Sequence, residues 1–213
     1  SEHPVVSKKL GLLRGFQGHR TARAFGSIFD GRVIDELDGL LRQKASPAGK
    51  PLFLFVNLAE AHQPWLPIPD DIQWLGGSGR VKYDKLSADD DWRRFIQGTM
   101  PEAERDALLP KLVDSYDYAV WRADRSLGRV MTYLDETGWC DAGCRYVITA
   151  DHGEFLGEHQ LLDHGHYVYE PNTKVPLVTA GLALPALVAL LGLVVGVVLR
   201  VDTVLLVELS LES

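Results

Sequence analysis

Between Asp151 and His166 the chain concentrates side chains that can do chemistry. Four of its seven histidines, His152, His159, His164 and His166, fall there beside Asp151, Glu154, Glu158 and Asp163. Carboxylate oxygens and neutral imidazole nitrogens are ligands of divalent cations, and an imidazole can also move a proton near neutral pH. Asp151 and His152 follow directly on the apolar run Arg145-Tyr146-Val147-Ile148-Thr149-Ala150. They therefore stand where a buried strand ends, the edge at which open α/β sheets bind ligands. A solvated, turn-forming loop with capping histidines would have a similar composition, and the position at a strand end is what favours chemistry. His62 repeats the arrangement, coming just after the apolar run Leu52 to Leu58. If the two strands are parallel, both loops open into one crevice although about ninety residues separate them. Taken alone, His62 reads first as a cap on the turn from Pro64 to Pro67.

These loops need elements to hold them. Phe29, Val33, Ile34, Leu37, Leu40 and Leu41 recur at helical spacing and predict a helix over Asp30 to Gln43, closed by the turn Ser46-Pro47-Ala48-Gly49. Residues 52–58 predict a strand covered on both faces. Residues 68–103, polar and punctuated by glycine, read as a surface excursion with one short helix around Asp89 to Gln97. The run Asp89-Asp90-Asp91 suits that helix's N-terminus, where the macrodipole favours anions. From Glu104 to Glu136 the positions Leu108, Leu112, Tyr116, Ala119, Val120, Ala123, Leu127, Val130, Met131 and Leu134 mark a long helix, ended by Gly138. A further strand is expected over 145–150, and a weaker one over 174–178. Alternation of this kind argues for an α/β layered fold. The tryptophans read as packing residues, and Asp117 and Asp124 as helix-surface carboxylates.

Composition narrows the partners. With 213 residues and 46% hydrophobic content the chain can bury a core. Lys+Arg 22 against Asp+Glu 29 gives 22 − 29 = −7, and no basic patch interleaved with aromatics appears, so nucleic acid is excluded as the expected partner. Cys140 and Cys144 are the only cysteines, too few for a disulfide framework and without a matching zinc pair. They do not identify a compartment, which stays open between cytoplasmic and extracytoplasmic. The segment 180–199 carries no charged or aromatic residue. It fits a membrane helix, a buried core segment, or a non-native ending such as a shifted reading frame. A homo-oligomer is compatible with the chain.

Several motifs resemble one family. Tyr118-Ala119-Val120, Asp124-Arg125 and Leu127-Gly128 precede Asp151-His152-Gly153-Glu154, Leu156-Gly157-Glu158-His159, His164-Gly165, Tyr169-Glu170 and Val175-Pro176-Leu177. In order and spacing they resemble the C-terminal portion of the sulfatase family, within the alkaline phosphatase superfamily. Phe53-Leu54-Phe55 with His62-Gln63-Pro64-Trp65 is similar to that family's strand and its histidine loop. The resemblance implies an α/β fold, a partial alkaline-phosphatase-like layered sheet with helices on both faces. It divides the chain into an irregular opening stretch (1–23), a sulfatase-like partial domain (24–179) and the apolar tail (180–213).

By the same resemblance, Asp151 and His152 bind a divalent metal ion, calcium or manganese. His62 contacts the ester oxygens and can protonate the leaving group, and His164 holds the sulfate or phosphate of a small anionic ester. Glu158 is a supporting residue, and His159 and His166 have no role. The family's nucleophile, a Cys or Ser in a Cys/Ser-x-Pro/Ala-x-Arg motif matured to formylglycine, is expected in a missing N-terminal half, as are two metal-binding aspartates. The implied function is a metal-dependent hydrolase of sulfate, phosphate or phosphonate monoesters that is inactive without that half. Two other readings stand beside it: a noncatalytic remnant or binding module touching a membrane through 180–199, and a phosphotransferase or phosphodiesterase of the superfamily.

Overall fold

A computed structural model of the chain describes residues 15–20, 32–42, 52–63, 65–69, 72, 75, 85–141, 143–165, 167–181 and 204–209, with backbone alone for 32, 85–89 and 204–209. The turn at 46–49, Pro64, Trp74, His166 and nearly all of the apolar segment 180–199 lie outside the described residues. The elements are α1 (Arg32–Leu41), β1 (Leu52–Asn57), α2 (Lys85–Ile96), α3 (Glu102–Glu136), β2 (Cys144–Thr149), β3 (Phe155–Leu156), β4 (Leu162–Asp163), α4 (Glu170–Thr173), β5 (Leu177–Ala180) and β6 (Val204–Leu209). Helices and strands alternate in an α/β arrangement, as the periodicity predicts. They fall into two compact units, one comprising 1–59, 124–151 and 176–213, the other 60–123 and 152–175.

The first unit is built on a four-stranded sheet of order β1-β6-β2-β5. Every hydrogen-bonded pair in it is antiparallel. β1 and β2 are not paired with each other, because β6 lies between them. Because each runs antiparallel to β6, β1 and β2 still point the same way. Val204 faces Asn57 on one side and Thr149 on the other, so both strands finish at the same end of the sheet. The chain leaves that end toward His62 in one case and toward Asp151 and His152 in the other. The side chains of Leu37 and Leu41, one helical turn apart on α1, pack with Leu54, Tyr146, Val130 and Leu134 in one buried cluster. Val130 and Leu134 are fully enclosed (0% exposed), the kind of burial worth about 1.5–3 kcal/mol per side chain. Tyr133 on α3 donates its hydroxyl to Asp38 of α1 at 2.8 Å. Cys140 and Cys144 form a disulfide across the turn between α3 and β2. No helix among the described residues is long and apolar enough to cross a membrane.

The second unit has a separate core of Trp65, Phe95, Leu112, Ala119 and Leu162. Residues 85–96 are therefore not a mere surface excursion: Trp92, Phe95 and Ile96 share one face of α2 at i, i+3 and i+4, and that face packs into this core. Trp92 also donates its indole N–H to the carbonyl of Leu162 at 2.9 Å. Since α2 begins at Lys85, Asp89 to Asp91 lie in its second turn rather than at its N-terminus. Arg94, on the next turn, pairs with Asp91 at 3.6 Å.

Candidate active site

The short hairpin β3–β4 creates the site. Phe155 pairs with Asp163 and Leu156 with Leu162, so extending the ladder by one step sets Glu154 opposite His164. Its turn needs unusual backbone. Gly157 has φ 122 and a Cβ there would lie 2.7 Å from Leu109, so only glycine fits. His159 and Gln160 follow with φ 55 and 59, and Gly157 N–H closes the turn on Leu161 O at 3.0 Å. Glu158 accepts the Leu156 amide at 2.8 Å, so its contact is with the hairpin backbone. On the other side of the hairpin Gly153 touches the chain at Pro171 and Asn172. Its N–H bonds Asn172 O at 2.8 Å, and Asn172 in turn donates its amide to Tyr167 O at 2.8 Å.

Three of the four residues singled out in the sequence meet here. The His164 ring stacks on that of His152, with centroids 4.2 Å apart, and meets that of His62 edge-on at 5.1 Å. Asp151, half-buried, is joined to them through its peptide bond with His152. Each imidazole is bonded to the protein through Nδ1. His62 uses it on the carbonyl of Gln63, and His152 donates to Gly153 O at 2.8 Å. The Nδ1 of His164 donates to Glu154 Oε2 at 3.1 Å, with Asp163 Oδ1 at 3.0 Å.

Glu154 and Asp163 are site residues that sequence reasoning left without a role. Glu154 is buried, and its Oε1 finds no hydrogen-bond partner among the described residues. Burial pushes its carboxyl above the usual carboxylate range, and the bond from His164 opposes this only in part. The same bond raises His164 above its ordinary value despite partial burial. The only signal available was hairpin register, and strands of two residues leave no periodic trace.

The donor chemistry fits a divalent cation. With Nδ1–H given to a backbone carbonyl, neutral His152 carries its lone pair on Nε2, the tautomer and outer contact typical of a metal-bound histidine. Asp151, the residue before it in the sequence, carries a carboxylate, a hard oxygen donor of the kind divalent cations take. Glu154, Asp163 and His164 also offer ligand atoms within 4.8 Å of one another.

The α/β scaffold thus carries an Asp-His pair where β2 ends and a cluster of three imidazoles. The Sulfatase family model matches residues 7–182, and the chain belongs to that family. It is 45% identical over 65 residues to the multifunctional alkaline phosphatase superfamily protein PehA of Trinickia caryophylli, covering 30% of this chain and 12% of that protein. Over 158 residues it is 25% identical to the uncharacterized sulfatase YidJ of Escherichia coli, covering 69% of this chain and 29% of the relative. It is 30% identical over 98 residues to an N-acetylglucosamine-6-O-sulfatase of Bacteroides thetaiotaomicron, 42% of this chain and 17% of that enzyme. The chain thus spans less than a third of the length of these relatives. No solved structure matches it significantly.

Proposed function

We propose that this chain supplies the metal- and anion-binding portion of a hydrolase acting on sulfate monoesters, with phosphate and phosphonate monoesters as the alternative tetrahedral anions. The observation that carries the reading is the convergence of His62, His152 and His164, each with Nδ1 turned to the protein. Asp151 and His152 would hold the divalent ion, calcium or manganese. Once bound, that ion acts as a Lewis acid that offsets the charge of the ester oxygens.

The remaining work falls to side chains of the chain itself. His164, held beside two carboxylates, is favoured in its charged form and grips a non-bridging oxygen of the anion. His62 presents its Nε2 to the bridging oxygen and delivers a proton to the departing alcohol. Both place positive charge or a donor where negative charge develops in the transition state. No Cys/Ser-x-Pro/Ala-x-Arg motif occurs in these 213 residues, so the covalent step needs a nucleophile from outside them.

The test uses the full-length protein. Metal content is measured together with turnover of an aryl sulfate and an aryl phosphate, in the wild type and in Asp151→Ala. Loss of the bound ion and a fall in turnover of at least about a hundredfold is expected, since a Lewis acid contributes several kcal/mol. Wild-type turnover in Asp151→Ala defeats the assignment. The ratio of the two substrates' rates ranks sulfate against phosphate.

A further inference from the structure

We infer that Glu154 is a positioning residue for His164, a buried clamp that fixes the imidazole so that Nε2, and not Nδ1, meets the ester. The inference rests on the reading of His164 as the anion-gripping residue.

The geometry leaves the ring little choice. Its Nδ1 faces Glu154 Oε2 at 3.1 Å and Asp163 Oδ1 at 3.0 Å. A lone pair directed at two carboxylate oxygens would be repelled, so Nδ1 carries the hydrogen. Flipping the ring by 180° would exchange this nitrogen for a carbon and lose both contacts. The two acids are not equivalent partners. The Glu154 side chain is 4% exposed, whereas that of Asp163 is 41% exposed and can trade its contact for water. A carboxylate as buried as Glu154, with Oε1 unpartnered among the described residues, is costly to fold. Its bond to His164 is the contact that this burial places, and the ladder register of β3 and β4 aims it. His152 stacked on one face of the ring and His62 at its edge then restrict the imidazole further.

The inference is tested by a double-mutant cycle on the full-length protein, with Glu154→Gln, His164→Ala and both together, reading kcat/KM for an aryl sulfate. Glu154→Gln keeps the volume and replaces an obligate acceptor by an amide that can also donate. It is expected to lower kcat/KM about 10- to 100-fold, the range for residues that orient another catalytic group. In the His164→Ala background the same change is expected to do nothing further, because its target is gone. An additive loss, or an undiminished rate in Glu154→Gln alone, overturns the inference. Ring-nitrogen NMR of histidine-labelled wild-type protein supplies a readout that does not depend on any variant folding. A protonated Nδ1 on His164, identified by its absence in His164→Ala, is expected; an unprotonated Nδ1, whether bare or bound to a metal ion, overturns it. Unchanged turnover in His164→Ala would instead remove the underlying assignment of that histidine, a result separable from the others.

Discussion

Replacing Gly153 by alanine puts the main-chain support of the site to a quantitative test. A Cβ at this position would stand 2.0 Å from the carbonyl oxygen of Pro171, where carbon and oxygen ordinarily approach no closer than about 3.3 Å. The two segments must separate by roughly 1.3 Å on that basis, and the obstruction is backbone, which cannot swing away. The separation breaks the 2.8 Å bond from Gly153 N–H to Asn172 O, worth about 1 kcal/mol. Overpacking adds about 1–3 kcal/mol, for a local loss of about 2–4 kcal/mol. Amide hydrogen exchange reads this directly. Peptides covering residues 152–156 should exchange about 30- to 1,000-fold faster in Gly153→Ala, while those covering α1 stay as in the wild type. Exchange within about threefold of wild type in 152–156 would refute the argument that this glycine is required by close approach.

Gly128 lies on the exposed face of α3 with nothing among the described residues within 4 Å of a Cβ, so Gly128→Ala should stabilise the protein by about 0.5–1 kcal/mol in urea unfolding, and a destabilised variant would contradict that packing. His164 is raised above 6.5 by its bond to Glu154, so the stability it contributes in chelator-treated protein is complete below about pH 6.5 and is lost as the pH climbs through its higher folded value. An NMR titration of the ring giving a midpoint at or below 6.5 would show that the pairing is absent in solution.

Legibility in the sequence depended on the length scale of each signal. Leu112, Ala119, Val130 and Leu134 repeat over many turns, so α3 appears with bounds shifted by two residues at its start. The apolar runs behind β1 and β2 were equally plain, as was the loop chemistry following each of them. Strand pairing was not, because it belongs to partners: β6, from residues 204–209, lies between the two and makes both ladders antiparallel. Phe95 was hidden for a related reason, since a polar segment with three apolar residues on one helical face looks exposed until its core is known. Glu154 and Asp163 could not be connected to His164 by spacing alone. They depend on a turn in which His159 and Gln160 adopt positive φ, which residue type does not announce.

The central place of residues 204–209 has a consequence for handling the protein. β1 and β2 share no hydrogen bond; their membership in one sheet runs entirely through β6. A chain trimmed ahead of Val204 would leave two bare rows of amide and carbonyl groups on strands rich in Phe, Val and Ile. Such rows recruit strands from other molecules, so a shortened form would be expected to clump more readily than the untrimmed one.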